Sequence, residues 1–290
     1  MKFVVKILAF LLLQVSAIEI NAQKRKSGNH SLLYKVESKG STPFYLFGTI
    51  HLICADQFKV SESLELVLEQ AETLYLELDM NAVNPLAVFS KAVSSTALDE
   101  FLPAPTVDSL KKFIATQSSL NLPWMVVKKL QPVFIQQLFM QNLLDCKTEA
   151  IDLYLNKRFV DMKKPVKGLE TFEFQLDMMM GIEYKDQVEG LLQYMRQPDQ
   201  TKEQFGKLVE TYLRGNAEEL YALINEDKSF VDMEDKFLSE RNENWVKIMK
   251  ENKGKQKYLY AFGAGHLGGK KGVIALLKKE GFKVTPIEQK

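Results

Sequence analysis

The chain has 290 residues, 46% of them hydrophobic, and a formal net charge of +1. That length and apolar content can bury a substantial core in one large domain or two small ones, and they exclude a disordered or low-complexity chain. With acids and bases interspersed and no basic stripe, a sequence-wide attraction to nucleic acid is excluded as well.

The first segment, MKFVVKILAFLLLQVSAIEINAQKRK, sets Lys2 and Lys6 before an apolar run from Ile7 to Leu13 and closes on Asn21-Ala22-Gln23. This is the tripartite pattern of a secretory signal, with cleavage expected after Ala22. The apolar run is short for a bilayer span, which needs roughly 20 residues. No cysteine stands at the cleavage point to be lipidated, and no later stretch reads as a membrane span. The expected organisation is a signal peptide over 1–22 and a single domain over 23–290, exported to a periplasm or secreted. Export leaves Cys54 and Cys146 two readings: a disulfide, as in oxidising compartments, or two buried thiols packed as small apolar residues.

Next, SLLYKVESKGSTPFYLFGT reads as a hairpin, with strands over Ser31–Glu37 and Pro43–Phe47 about a Lys39-Gly40-Ser41 turn. In SESLELVLEQAETLYLELDM, Leu64, Val67, Leu68 and Ala71 fall on one helical face, with Ser61 as N-cap. A short strand, Leu74 to Leu78, follows and carries Glu77. Strand, helix, strand suggests a βαβ crossover with parallel pairing. From Pro85 to Lys164 the pattern is mostly helical, punctuated by Pro103, Pro105, Pro123 and Pro132. A strand from Val166 to Leu169 then ends at Glu170, and a helical stretch covers Lys185 to Lys250. The strand in KYLYAFGAGH, a Gly-Gly turn, a helix stopped by Gly281 and a final KVTPI strand read as a second βαβ-like unit. The fold class predicted is α/β: a central, mostly parallel sheet formed by N- and C-terminal βαβ-like halves, with a large helical middle region and an N-terminal β-hairpin.

Two of the three histidines share one setting, an apolar strand, a glycine, two residues and the histidine: LFGTIH with His51 and AFGAGH with His266. In open α/β sheets, ligands bind beyond the carboxyl ends of the strands, and four strand candidates end in a chemically capable group: His51, Glu77, Glu170 and His266. Two imidazoles with one or two carboxylates are a natural ligand set for zinc, manganese or a related divalent ion. Gly48, Gly263 and Gly265, lacking Cβ atoms, would let a substrate approach the backbone closely. Beyond Gly268 and Gly269, the first N–H groups of a helix would favour an anion and a neutral histidine. Singly, each piece has a plainer reading: a lone G-x-x-H is common, Glu77 could pair on a surface, and Glu170 could merely cap the next helix. His30 reads as a solvated loop residue, and Met178 to Met180 as core filler.

The stretches YLFGTIHL, LYLELD, AIDLYL with KPVKGLETFEFQL, ERNENWV and AFGAGHLGGKKGVIALLKKEGFKVTPI follow one another over nearly the whole mature chain. In that order the chain resembles members of the TraB/GumN family, which includes the Tiki proteins and is similar in fold to the erythromycin-esterase-like and ChaN-like α/β proteins. The resemblance implies a divalent-metal-dependent hydrolytic site made from the two G-x-x-H motifs and an acidic residue, with peptidase activity attributed to the Tiki members. It places the family's motifs on Gly48 with His51 and on Gly263 with His266, its glutamates on Glu77 and Glu170, and its Arg-Asn pair on Arg241 and Asn242. Unlike the Tiki proteins, this chain is expected to carry no membrane anchor.

The function expected is therefore an exported metal-dependent hydrolase acting on a peptide or protein substrate. His51 and His266 would hold Mn, Co or Zn with one glutamate, while the other serves as general base. Glu77 is the first choice for base, with the exchange of roles with Glu170 open. Helix N-terminal amides or Arg241 would stabilise an oxyanion. Arg241 is equally readable as a clamp for a carboxylate or carbonyl oxygen or as a cation packed over Trp245, one helical turn on. Asp152, in AIDLYL, ranks below the glutamates. Alternatives are a non-catalytic peptide-binding or regulatory protein using the same cleft, a hydrolase of esters, or a protein linked to surface polysaccharide. A shared ion requires His51 and His266 to meet.

Overall fold

The computed structural model describes residues 30–117, 122–226 and 233–289; the expected signal peptide and its cleavage point after Ala22 lie outside the described residues. Among the described residues there are eight strands: β1 (Leu33–Glu37), β2 (Phe44–Thr49), β3 (Ile53–Cys54), β4 (Thr73–Leu78), β5 (Thr148–Glu149), β6 (Val166–Glu170), β7 (Tyr258–Gly263) and β8 (Lys283–Pro286). Six of them form one sheet in the order β6-β4-β7-β2-β1-β8, and β3 and β5 form a separate two-stranded pair. β6, β4, β7 and β2 run parallel, while β1 is antiparallel to both β2 and β8. The fold is thus α/β with a mostly parallel central sheet and the N-terminal hairpin.

Composition explains the order. β2 (FYLFGT) and β4 (TLYLEL) are buried at every position, as suits strands covered on both faces. β7 (YLYAFG) is nearly as buried and pairs with both of them. The crossover from β2 through the helix Glu62–Gln70 to β4 therefore leaves a gap that the C-terminal part of the chain fills. At the other end, β8 alternates exposed and half-buried residues and lies antiparallel to β1 at the sheet edge. The expected second βαβ-like unit differs in this respect: β8 does not return beside β7, because the positions flanking β7 are taken by two more apolar strands.

Ser61 caps the helix Glu62–Gln70, its side chain accepting from the Leu64 N–H at 3.2 Å, and Leu64, Val67 and Leu68 are buried. In the helical middle, prolines fall in the first turn of Pro85–Ala92, Ala104–Ala115, Pro132–Met140 and Pro198–Leu213, where the missing N–H costs no helical hydrogen bond. Met178 and Met179 pack in the core and His30 is exposed. Gly281, at φ +82°, ends the helix Val273–Lys279 in the left-handed conformation that glycine adopts without strain. Cys54 and Cys146 are joined in a disulfide with their Cα atoms 5.7 Å apart. Among the described residues, no helix is long and apolar enough to cross a membrane.

Candidate functional site

Because β6, β4, β7 and β2 are parallel neighbours, their carboxyl ends open on one edge of the sheet. Glu170 ends β6, Glu77 lies one residue before the end of β4, His266 closes the 3-10 turn Ala264–His266 after β7, and His51 follows β2 by two residues. The helix Glu240–Glu251 brings Arg241, Asn242 and Trp245 to the same edge. It is entered through a π-helical turn, Asp235–Ser239, a local irregularity often found at functional sites.

Arg241 is fully buried at the centre. Its Nη2 donates to Glu77 Oε2 at 2.6 Å and to Glu170 Oε2 at 3.0 Å. Nε donates to Glu170 Oε1 at 2.9 Å, and Nη1 donates to the Phe237 carbonyl at 3.0 Å. Trp245 Nε1 donates to Glu170 Oε1 at 2.8 Å, and Gln175 Nε2 bridges Glu170 and Glu77 at 2.9 and 3.3 Å. The guanidinium also lies 4.8 Å from the Trp245 ring centroid. With its donors spent inside the protein, it presents none to a substrate.

His266 is fully buried, and its Nε2 lies 3.3 Å from Arg241 Nη1. An arginine can only donate, so Nε2 is the acceptor, and Nδ1–H donates to Asn242 Oδ1 at 2.7 Å. Asn242 in turn gives its Nδ2–H to the Lys271 carbonyl at 3.0 Å. Burial first, and then the Arg241 charge, pushes the His266 imidazole well below its ordinary range. It is a neutral ring whose Nε2 lone pair is already engaged.

His51 is in the opposite state. Its Nδ1 lies 2.5 Å from Asp152 Oδ2, and Thr49 Oγ1 donates to Asp152 Oδ1 at 2.5 Å. A carboxylate only accepts, so Nδ1 carries the proton and Nε2 turns to the crevice. Burial works against the imidazolium, but Asp152 outweighs it and raises the His51 pKa to about 9. For Glu77, burial opposes ionisation and the Arg241 guanidinium overcomes it, holding this carboxyl well below the usual range.

The groups meet over Gly263, whose N–H donates to Glu77 Oε1 at 2.8 Å. A Cβ built on Gly263 would stand 3.3 Å from Glu77 Oε1, 3.6 Å from His266 Cδ2 and 4.0 Å from His51 Nε2. Glycine there keeps open the space that all three side chains border. Gly48 has a packing reason instead: a Cβ would stand 2.7 Å from Leu267 Cδ1 and 2.9 Å from Ala264 Cβ. Gly269, in the loop expected to lead an anion-binding helix, gives its N–H to Glu218 Oε2 at 3.0 Å.

A catalytic zinc takes about three protein ligands, yet among the described residues no group of three or more His, Cys, Asp or Glu side chains is disposed to hold a metal ion. The reason is Arg241. Its guanidinium occupies the position between Glu77, Glu170 and His266 and supplies the positive charge there, using both oxygens of Glu170, one of Glu77 and Nε2 of His266. Of the expected ligand atoms, His51 Nε2 is left facing the crevice, while Glu77 Oε1 accepts from the Gly263 N–H. The ligand set His51, His266, Glu77 and Glu170 therefore does not fit a divalent ion in this arrangement.

Asp152 stands closer to the chemistry than its sequence rank suggested. The signal was its place one residue into a helix, in a segment preceded by Cys146, but nothing local links it to His51. Thr49, Gln175 and Trp245 lie within the quoted stretches, but their hydrogen bonds to Asp152, Glu77 and Glu170 could not be read from them.

The sequence profile of the TraB/PrgY/gumN family matches residues 32–286. Among curated proteins, the Metalloprotease TIKI1 of Danio rerio is 22% identical over 91% of this chain and 65% of its own length. The Metalloprotease TIKI1 of Xenopus tropicalis is 24% identical over 90% of this chain and 62% of its own length. The Metalloprotease TIKI homolog of Amphimedon queenslandica is 23% identical over 88% and 61%. The chain thus spans just under two thirds of the length of these relatives. No solved structure gives a significant match.

Proposed function

The chain belongs to the TraB/PrgY/gumN family, and from that premise we propose that it is a hydrolase of peptide or protein substrates, working in the crevice over Gly263. The observation that carries this reading is His51: its Nε2 and Glu77 Oε1 stand 4.0 and 3.3 Å from the point that a Cβ on Gly263 would occupy, with Asp152 hydrogen-bonded behind His51. An imidazole held in one tautomer by a carboxylate is a device for moving protons. As free base, His51 takes a proton from a water lodged over Gly263 while that water adds to the scissile carbonyl. The imidazolium, stabilised by Asp152, then returns the proton to the leaving amine. Glu77 accepts the other hydrogen of the water and orients it. The role of base, expected of Glu77, passes to His51, because a carboxylate ion-paired to Arg241 is too weak a base. Glu170, His266 and Asn242 position Arg241 and the turn after β7.

The name metalloprotease carried by the relatives supports peptide hydrolysis and implies a metal ion in those proteins. As arranged here, the Arg241 guanidinium supplies the positive charge among Glu77, Glu170 and His266, so no step is assigned to an ion. Export to a periplasm or the medium remains part of the reading, supported by the disulfide, a bond of oxidising compartments.

The test is hydrolysis of a peptide library by the purified protein. His51→Ala should slow it by about 10²–10⁴-fold. Asp152→Asn should move the rising limb of the pH–rate profile toward lower pH, because Asp152 is what raises His51. Elemental analysis, with assays in chelator and in added Mn²⁺, Co²⁺ or Zn²⁺, decides the metal question on the same material. Equal rates for wild type and both variants would overturn the proton-transfer assignment.

A further inference from the structure

Beside the reacting groups lies a small, partly open cleft. One wall is His51 and the turn Gly263–Gly265. The other comes from the helical middle: Phe205, Leu208 and Tyr212 on the helix Pro198–Leu213, and Leu220 and Ile224 on the helix Ala217–Ile224. The two side-chain hydroxyls in the lining are already committed, Tyr212 donating to the Gly48 carbonyl at 3.0 Å and Thr49 donating to Asp152. The Ile50 and Ala264 carbonyls accept from Ile151 and Leu267. Apart from His51, no side chain in the lining offers a partner to a charged or amide group that sheds its water on entering, whereas an apolar one loses nothing. His51 and Gly263 border both the cleft and the reaction point, so the group in the cleft must adjoin the bond that His51 attacks.

We infer that this cleft is the specificity pocket of the site, and that it takes an apolar side chain, such as Leu, Ile, Met or Phe, from the substrate residue next to the scissile bond. The inference rests on the reading of the chain as a peptide hydrolase for the words "scissile bond" alone; the pocket's preference can be measured by binding. Leu208 and Ile224, both half-buried, form the adjustable part of the wall, and the Cδ1 of Ile224 sits 2.4 Å from where a Cβ on Gly265 would be. Gly265 therefore lets Ile224 close the floor, and substitutions at Leu208 and Ile224 reshape the pocket without touching His51, Asp152 or Glu77.

The experiment uses blocked pentapeptides that differ only at the central residue, Leu, Phe, Ala, Asp or Lys, with affinity measured by calorimetry and cleavage by mass spectrometry on the same samples. Leu and Phe peptides should bind at least about tenfold more tightly than Ala, Asp and Lys peptides, since even one methylene in an apolar pocket is worth about 10–200-fold. Leu208→Trp, which fills the cleft, should cancel that preference. Ile224→Ala, which deepens it, should shift the preference from Leu toward Phe. An apolar preference without cleavage would sink the hydrolase reading and keep the pocket. Equal binding of all five peptides, tighter binding of Asp or Lys, or a preference unmoved in both folded variants would overturn the inference.

Discussion

Asp152 holds His51 with a proton on each ring nitrogen below about pH 9, while Arg241 and burial keep His266 neutral. Matched motifs thus end in opposite charge states, because an imidazole follows its neighbours and not its own segment. The His51 shift has a consequence for stability. Its folded-state pKa of about 9 lies above the ordinary 6.5, so the ion pair stabilises the fold fully below about pH 6.5 and loses that contribution as pH rises through about 9. The contribution amounts to roughly 3 kcal/mol. Denaturant titrations across this window should record the decline, and His51→Ala should flatten it. Both histidines and both glutamates could be named from strand ends alone. Asp152 could not be ranked, because its contact with His51 spans 101 residues of chain.

His51 stands on the short connection between β2 and β3, and Asp152 opens the helix Ile151–Asp161 just after β5. β3 and β5 are only two residues long, too short to hold a register unaided. The disulfide from Cys54 to Cys146 ties these connections together across a sequence separation of 92. Replacing both cysteines by serine should cost about 2–5 kcal/mol, measurable as a lower denaturation midpoint. It should also move the His51 limb of the pH profile in the acid direction as the contact with Asp152 loosens. Ser61 as a cap and Gly281 as a helix stop were readable from local chemistry, and both act within a few residues of themselves. The cysteine pairing was open in sequence, since the distance between two Cα atoms belongs to the packed chain.

Arg241, on the helix Glu240–Glu251, links β4, β6 and the turn after β7, and the ion pairs it makes are nearly dry, with side-chain exposures of 0% for Arg241, 8% for Glu77 and 7% for Glu170. Arg241→Met would leave two buried carboxylates without their cation, and should cost about 3–5 kcal/mol of global stability. The loss should be read as one cooperative shift in denaturant unfolding, with partial recovery when Glu170→Gln is added. Apolar periodicity, helix caps and strand-end glycines operate over short windows, so the α/β class, the hairpin and the roster of reactive groups were legible in the amino-acid sequence. The insertion of β7 between β2 and β4, the edge position of β8 and the guanidinium standing among the expected metal ligands were not. Each depends on contacts between segments far apart in the chain, whose energies are settled only when the competing partners for one edge or one charge are packed together.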